Sequence, residues 1–420
     1  MSAAPQTLDD ICEFIVDCLH NTAPTQDAGF PSIRTPNVGR GRLILEGVNR
    51  VSEETYNEWT RRAVPQAGDL ILAREAPAGN VAIIKDGQTV CLGQRTVHLR
   101  PDRTKVDPDF LCYYLLAPMQ QGALLAGETG ATATHVNMRD IRRLRMTNLP
   151  PLDVQKTAGG ILSAYDDLIE NNRRRIALLE EAARLLYREW FVHFRFPGHE
   201  HSKFIDGLPE GWQRISPSQL IGHHIGGGWG SDDQGGKASE PAFVIRGTDI
   251  PRVEDGEIDS VSLRFHAAAT LKSRILLPYD VIFEVSGGSS SQPVARTLLM
   301  TEERLRMWNE HVICASFCKR FSFSSSDDAL YFYFHVREHR DRGDILVYQK
   351  ESASSLKNFN FEGFMGSYFF ALPPVSLRRL FGEMVDPFVR QQSVLAVQNQ
   401  KLAQARDLLL PRLMSGELTV

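Results

Sequence analysis

The chain has 420 residues, of which 42% are hydrophobic and 23% charged, with a formal net charge of −4. This is the balance of a soluble globular protein with room for two or three domains, not of a disordered one. No apolar run approaches the ~18 residues of a membrane span. The acidic balance argues against tight, sequence-independent nucleic-acid binding by the chain alone, because such affinity comes from neutralised phosphates.

The N-terminal MSAAPQTLDD has neither the basic start nor the apolar stretch of a secretory signal, so a cytoplasmic location is expected. A first module over 1–148 shows short β-like runs, among them Asp69-Leu-Ile-Leu72 and Val81-Ala-Ile-Ile84, separated by Gly, Pro, Asp and Ser turns. Arg34, Arg40, Arg42 and Arg50 crowd its early part, and Arg139, Arg142, Arg143 and Arg145 lie near its end. Such side chains position phosphates or reach guanine in the major groove, while asparagine can read adenine. A solvated, salt-bridged surface would use the same residue types.

From about Asp153 to Phe194 the pattern is helical. Ala158, Leu162, Tyr165, Ile169, Asn172, Ile176, Leu179, Ala183, Leu186 and Trp190 recur in steps of three and four, a heptad seam with one polar position. Pro150-Pro151 is a sensible start signal, and about 40 residues at 1.5 Å each predict a rod of roughly 60 Å. This helix and its exit at Phe196-Pro-Gly-His199 fill residues 149–207.

A second module over 208–371 opens at Leu208-Pro-Glu-Gly-Trp212 and contains strand-like Asp280-Val-Ile-Phe283 and Leu330-Tyr-Phe-Tyr-Phe334. Its Gly226–Lys237 stretch lacks a P-loop's glycine at position 231 and its Ser or Thr at 238, and is expected to be a flexible surface loop. Residues 372–420 form a second long helix. Its shifted seam includes Val385, Leu395, Leu402 and Leu409, weakened by polar positions such as Gln392, Asn399 and Arg406, and Pro387 is expected to kink or restart it.

The two halves are related by an internal repeat. One constant offset carries Leu149-Pro-Pro151 onto Leu372-Pro-Pro374, Gly159 onto Gly382, Leu179 onto Leu402, Ala182 onto Ala405 and Leu185-Leu186 onto Leu408-Leu409. Running backwards, it carries Asn137 onto Asn360 and Ile141 onto Phe364. The expected fold is α+β: two mixed α/β modules joined by two long helices that pack as an antiparallel coiled coil, with a pseudo-twofold internal repeat.

Module, long helix, module, long helix resembles the specificity subunits of type I restriction-modification systems. The likeness rests on Leu208-Pro-Glu-Gly-Trp212, the two Leu-Pro-Pro closings, and Leu168-Ile-Glu-Asn-Asn-Arg173 leading into Leu178-Leu179-Glu180. Gly93-Gln-Arg95, the Gly130–Asn137 run and the terminal Leu410-Pro-Arg-Leu-Met-Ser-Gly-Glu417 add to it. It covers essentially the whole chain. It implies two target-recognition domains, each reading one half of a split, asymmetric site in double-stranded DNA, with the helices setting the spacing. The implied partners are two methyltransferase subunits and restriction subunits. S-adenosylmethionine would be bound by the methyltransferase and no cofactor by this chain. Where the first module has Leu92-Gly-Gln-Arg95 the second has Ala315-Ser-Phe-Cys-Lys-Arg320, so the two reading loops differ.

The DNA-contacting candidates are Arg34, Arg40, Arg42, Arg95, Thr134, Asn137 and Arg142 in the first module, and Lys319, Arg320, Asn358 and Asn360 in the second. No Asn/Asp-Pro-Pro-aromatic methyltransferase motif, nuclease carboxylate pair or Gly-x-Ser-x-Gly elbow occurs, and His223-His224 lack metal partners at useful spacing. These absences favour a non-catalytic subunit. The six cysteines form no Cys-x-x-Cys and are expected to be buried thiols in a reduced compartment. Two other classes stay open: a restriction endonuclease fragment with intrinsic nuclease activity, and a helical adaptor that binds no DNA.

Overall fold

The computed structural model describes residues 6–19, 21–126, 135–147, 149–287, 292–351, 357–418 and 420. The chain divides into two compact units, one of residues 1–168 with 402–420 and one of 169–401. Each unit therefore takes part of both long helices.

In the first unit β1 (Cys12–Asp17), β3 (Gly41–Arg42), β5 (Leu70–Ala73), β6 (Val81–Ile83) and β8 (Thr96–Pro101) form a sheet in the order β1-β8-β5-β6-β3. A second sheet joins β4 (Arg50–Val51), β2 (Phe30–Ile33) and β7 (Cys91–Leu92), with β2 and β7 parallel. The chain passes from β7 in one sheet to β8 in the other through the three residues Gly93–Arg95.

The second unit repeats this plan. β9 (Ile221–Gly226), β12 (Val281–Glu284), β13 (Thr297–Leu299) and β15 (Cys318–Phe323) form an antiparallel sheet in the order β9-β15-β12-β13. β11 (Ser262–His266), β10 (Glu240–Ile245) and β14 (His311–Cys314) form the partner sheet, with β10 and β14 parallel. Here too a three-residue turn, Ala315–Phe317, hands the chain from the parallel pair to the centre of the antiparallel sheet. The interior strands at 70–73 and 281–284 are buried throughout, which explains their near-continuous apolar sequences.

A helix follows the central strand in each unit: α1 (Pro108–Leu116), capped by Asp107 accepting from the Phe110 amide, and α3 (Ser326–Asp341), capped by Ser325 accepting from Asp328. The long helices are α2 (Leu152–Tyr187) and α4 (Val375–Met414). Gly159 of α2 lies so close to α1 that a Cβ there would stand 2.5 Å from the Phe110 nitrogen; its repeat mate Gly382 of α4 would meet Asp327 Oδ1 at 2.3 Å. The same glycine seats a long helix on a module helix in both units.

The two long helices meet inside each unit, running antiparallel. In the first, Ala158 and Leu162 share a core with Leu410, Leu413 and Met414, and Asp166 pairs with Arg406 while accepting from the Tyr113 hydroxyl at 2.6 Å. In the second, Ile176 packs with Leu395 and Ala396, and Tyr187, Trp190 and Phe191 ring Phe381. Of the predicted seam, Leu162, Ile169, Ile176, Val385 and Leu395 are buried; Leu179, Leu186, Leu402 and Leu409 are half-buried. The stripe passes through Asp166 in place of Tyr165, because the Arg406 position needs a carboxylate opposite it.

Two expectations need correction. Pro387 neither ends nor restarts α4, which continues through it to Met414; the flanking turns are held by burial of Val385 and Val389. The first long helix leaves α geometry at Tyr187 and finishes in a π turn, Arg188–Val192, which places Trp190 and Phe191 side by side in the aromatic core. Among the described residues no helix is long and apolar enough to cross a membrane.

Candidate nucleic-acid interface

The first unit's turn is built from main-chain bonds. Gly93 N donates to Ile33 O (2.8 Å) and Arg74 N to Arg95 O (2.9 Å). Val136 N donates to Arg74 O (3.0 Å), which brings a later segment of the module alongside. With its backbone so fixed, Arg95 adopts φ 64°, a left-handed conformation that costs a non-glycine residue on the order of 1 kcal/mol. Its guanidinium Nη1 pairs with Glu75 Oε2 at 2.8 Å. The other Glu75 oxygen lies 2.6 Å from His135 Nδ1, and His135 Nε2 lies 2.7 Å from Arg74 Nη2. Arg74 is a donor only, so Nε2 accepts and Nδ1–H donates: the chain of bonds selects one neutral tautomer.

The second unit carries the same frame with other side chains. Ala315 N donates to Ile245 O (2.8 Å), Val285 N to Phe317 O (2.9 Å) and Phe359 N to Val285 O (2.8 Å). These three bonds match, one for one, those at Gly93, Arg74 and Val136. Phe317 thus occupies the place of Arg95, Ser286 that of Glu75, and Asn358 that of His135. The Ser286 hydroxyl donates to Asn358 Oδ1 at 2.5 Å, where the first unit has the Glu75–His135 bond.

At the other end of the strand that pairs with the one leaving each turn, just before Leu70 and Val281, lies a buried aspartate in equivalent surroundings. Asp69 accepts from Gln66 N and is held by His98 (2.6 Å) and by both Nε and Nη2 of Arg100 (2.8 and 2.7 Å). Asp280 accepts from Leu277 N (2.7 Å) and from the Ser322 hydroxyl (2.6 Å), and pairs with Arg320 Nε at 2.7 Å. Burial pushes the Asp69 carboxyl up, but the hydrogen bonds from Arg100 and His98 outweigh it and hold it below the usual carboxylate range.

Residues 5–181 match the family described as the type I restriction modification DNA specificity domain. The chain is 23% identical over 392 residues to the type I restriction enzyme MjaIX specificity subunit of Methanocaldococcus jannaschii, covering 90% of this chain and 83% of that one. The MjaVIII specificity subunit of the same organism is 27% identical over 161 residues, 37% of each. The crystal structure of a type I restriction-modification system S subunit from M. genitalium shares the fold, with a TM-score of 0.55 at 14% identity over 98% of this chain and 95% of that one.

The predicted contact residues fall in several places. The Arg34 stem packs over Gly93, two residues before Arg95 in the turn. Arg40 is exposed but donates to Leu116 O at the end of α1, and Arg42 is half-buried in β3. Arg142 donates to Ile15 O on β1 and lies 3.9 Å from Asp9. Asn137 is exposed, with its amide 3.4 Å from Asp140; Thr134 lies outside the described residues. Lys319 lies 4.1 Å over the Phe361 ring, a cation–π contact that leaves it half-exposed. Asn358 is exposed and pairs across from Ser286.

Two candidates hold structure together instead of facing outward. Arg320 is 11% exposed and spent on Asp280, since an unpaired carboxylate at that depth would be costly. Asn360 caps the helix Phe361–Ser367 by accepting from Gly363 N. The glycine-rich stretch is tied down at its start: Gly227 N donates to Cys318 O and Gly228 N to Cys314 O. A Cβ on Gly227 would come within 2.2 Å of the Cys314 and Ala315 carbonyl oxygens. Beyond it every residue from Trp229 to Lys237 is exposed.

Sequence reading missed Glu75, His135, Ser286 and Phe317. The repeat sets His135 opposite Asn358, because each stands two residues before the shared asparagine, Asn137 or Asn360. The Arg95–Phe317 match was hidden, since it requires a one-residue slip that a gap-free comparison cannot make. All six cysteines are free thiols, five of them buried, and burial pushes Cys314 up to about 12, which makes it a packing residue with little thiolate character. Among the described residues no group of three or more His, Cys, Asp or Glu is placed to hold a metal ion.

Proposed function

We propose that this chain is the non-catalytic, cytoplasmic DNA-reading subunit of a type I restriction-modification assembly. Each unit reads one half of a bipartite, asymmetric site in double-stranded DNA. The long helices set the distance between the halves and dock two methyltransferase subunits, which bind S-adenosylmethionine and carry out the methylation; restriction subunits complete the assembly. The observation that carries this reading is a duplicated scaffold whose backbone frame is kept while the exposed side chains on it change. That is what two readers of different sequences require.

The docking role has its own support. Leu178 and Leu185 of α2 are 70% and 46% exposed and Leu408 of α4 is 72% exposed; Leu185 and Leu408 are repeat mates. Large apolar side chains at one repeated helix position, facing solvent in both copies, suit a partner that is itself present twice. Leu185→Asp with Leu408→Asp is expected to abolish co-purification with the methyltransferase while leaving the unfolding midpoint within a degree or two.

The deciding experiment maps methylated adenines in cells with and without the gene. The expected result is loss of methylation at one split motif. Methylation or cleavage of DNA by the isolated chain would overturn the non-catalytic reading and favour a fused nuclease. Unchanged methylation everywhere, with no DNA binding by the chain bound to its methyltransferase, would favour a protein adaptor.

A further inference from the structure

The two strand-to-strand turns differ in content more sharply than anything else in the duplicated frame. The buried aspartates, the helix-seating glycines and the main-chain bonds around the turns are all retained. At the turn's outer position, however, the first unit has Arg95 and the second Phe317, each 60% exposed. A solitary exposed phenylalanine needs no explanation by itself. Finding it in the place of an exposed arginine, on a backbone held by the same three bonds, marks the position as one where the side chain is chosen for what lies outside the molecule. The positive φ of Arg95 points the same way: glycine would relieve that strain, yet the long side chain is present.

We propose that these turns are the base-reading elements, with Arg95 reading a guanine in one half-site and Phe317 together with Asn358 reading an A·T pair in the other. The proposal rests on the chain being a DNA specificity subunit, as inferred above. Glu75 holds one guanidinium nitrogen of Arg95, and both its oxygens are engaged, by Arg95 and by His135. It is a positioning residue: it fixes the fork and leaves the remaining N–H groups of Arg95 to address O6 and N7 of guanine, the bidentate pairing that this side chain makes best. Phe317 has no hydrogen-bonding group and suits the thymine methyl. Asn358, with its oxygen taken by Ser286, offers its amide N–H groups to an acceptor such as adenine N7. The first unit's patch is charged and polar and the second's apolar and amide, so the two half-sites differ in composition.

The test uses the full chain bound to its methyltransferase subunits and a library of duplexes randomised across both half-sites. Arg95→Ala and Arg95→Lys are each expected to lose guanine preference at one position of one half-site by about ten- to a hundredfold, leaving the other half-site untouched. Substituting 7-deazaguanine at that position should weaken the wild type and not Arg95→Ala. Phe317→Ala is expected to relax a thymine, and Asn358→Ala its paired adenine, in the other half-site alone. Glu75→Gln should partly relax the Arg95 position with an unchanged unfolding midpoint. A uniform fall in affinity for all sequences with Arg95→Ala would make Arg95 a phosphate contact and overturn the proposal. So would unaltered profiles for Arg95→Ala and Phe317→Ala in a wild type that is itself selective. A wild type with no base preference at all would instead sink the functional reading beneath it.

Discussion

His335 shows how a single buried side chain couples stability to pH. It lies between two tyrosines, with Nδ1 2.7 Å from the Tyr187 hydroxyl and Nε2 2.9 Å from that of Tyr368, and its pKa is held well below the ordinary value by burial and then by neighbouring His339. In the folded chain it is neutral; the unfolded chain takes up a proton below about pH 6.5. The unfolded state thus binds more protons in acid, and the stabilisation present at neutral pH is lost as pH falls below that value. Melting curves between pH 8 and pH 5 are expected to show this loss in the wild type and a flatter dependence in His335→Phe, which starts from a lower stability because two hydroxyls lose their partner. A wild-type midpoint independent of pH over that range would contradict this account. At this scale the sequence was a partial guide. Arg95 and Asn358 could be singled out as chemistry-bearing residues, but Arg320 and Asn360 look identical to readers until the strand pairing shows what they face. Nothing in the local sequence of Cys318-Lys-Arg320 says that one basic residue turns toward Asp280 and its neighbour toward Phe361.

Elements are held to one another by a few close approaches that differ in how readily they yield. At Gly159 the obstructing atom is the backbone nitrogen of Phe110, whereas at Gly382 it is a carboxylate oxygen of Asp327 that can swing away. Alanine gains up to about 1 kcal/mol of helix propensity over glycine, and overpacking costs about 1–3 kcal/mol. Gly159→Ala is therefore expected to destabilise, and Gly382→Ala to be near neutral, as measured by chemical denaturation. Equal losses would show that Asp327 is as fixed as the Phe110 backbone. The C-terminal part of α2 is fastened differently. Glu338 of α3 is nearly buried and accepts from both Arg188 Nε and Nη2 at 3.0 Å, with Arg184 at 3.5 Å. Glu338→Gln leaves Arg188 without its counter-charge, while Arg184 keeps Asp341 at 2.8 Å, and is expected to cost about 3 kcal/mol. The long helices were the most legible part of the fold, because a seam sustained over many turns is a strong periodic signal. Their interruptions were not: Pro387 stays within α4 because its neighbours Val385 and Val389 are buried, a tertiary effect that outweighs the local rule.

For the molecule as a whole, the internal repeat was visible in the sequence wherever the halves align without gaps, from Asn137 onward and through the helices. It was invisible in the sheets, where insertions shift the correspondence and only hydrogen bonding restores it. If the helices set the separation of two readers, one heptad inserted into both α2 and α4 should change the preferred spacer between half-sites and leave the half-site sequences intact. Altered half-site sequences would show that the readers and the ruler are not separable. The division of the chain carries another consequence. Residues 169–401 are one uninterrupted stretch, whereas the first unit needs residues 402–420 to complete a core that includes Leu8, Ile11, Phe110 and Leu413. On the ribosome, the later-made unit can close first, while the earlier one waits, its apolar surface uncovered, until Leu410, Leu413 and Met414 emerge. A chain stopped short of Leu408 should display its damage far from the cut in sequence, as lost hydrogen-exchange protection in α1, with α3 still protected.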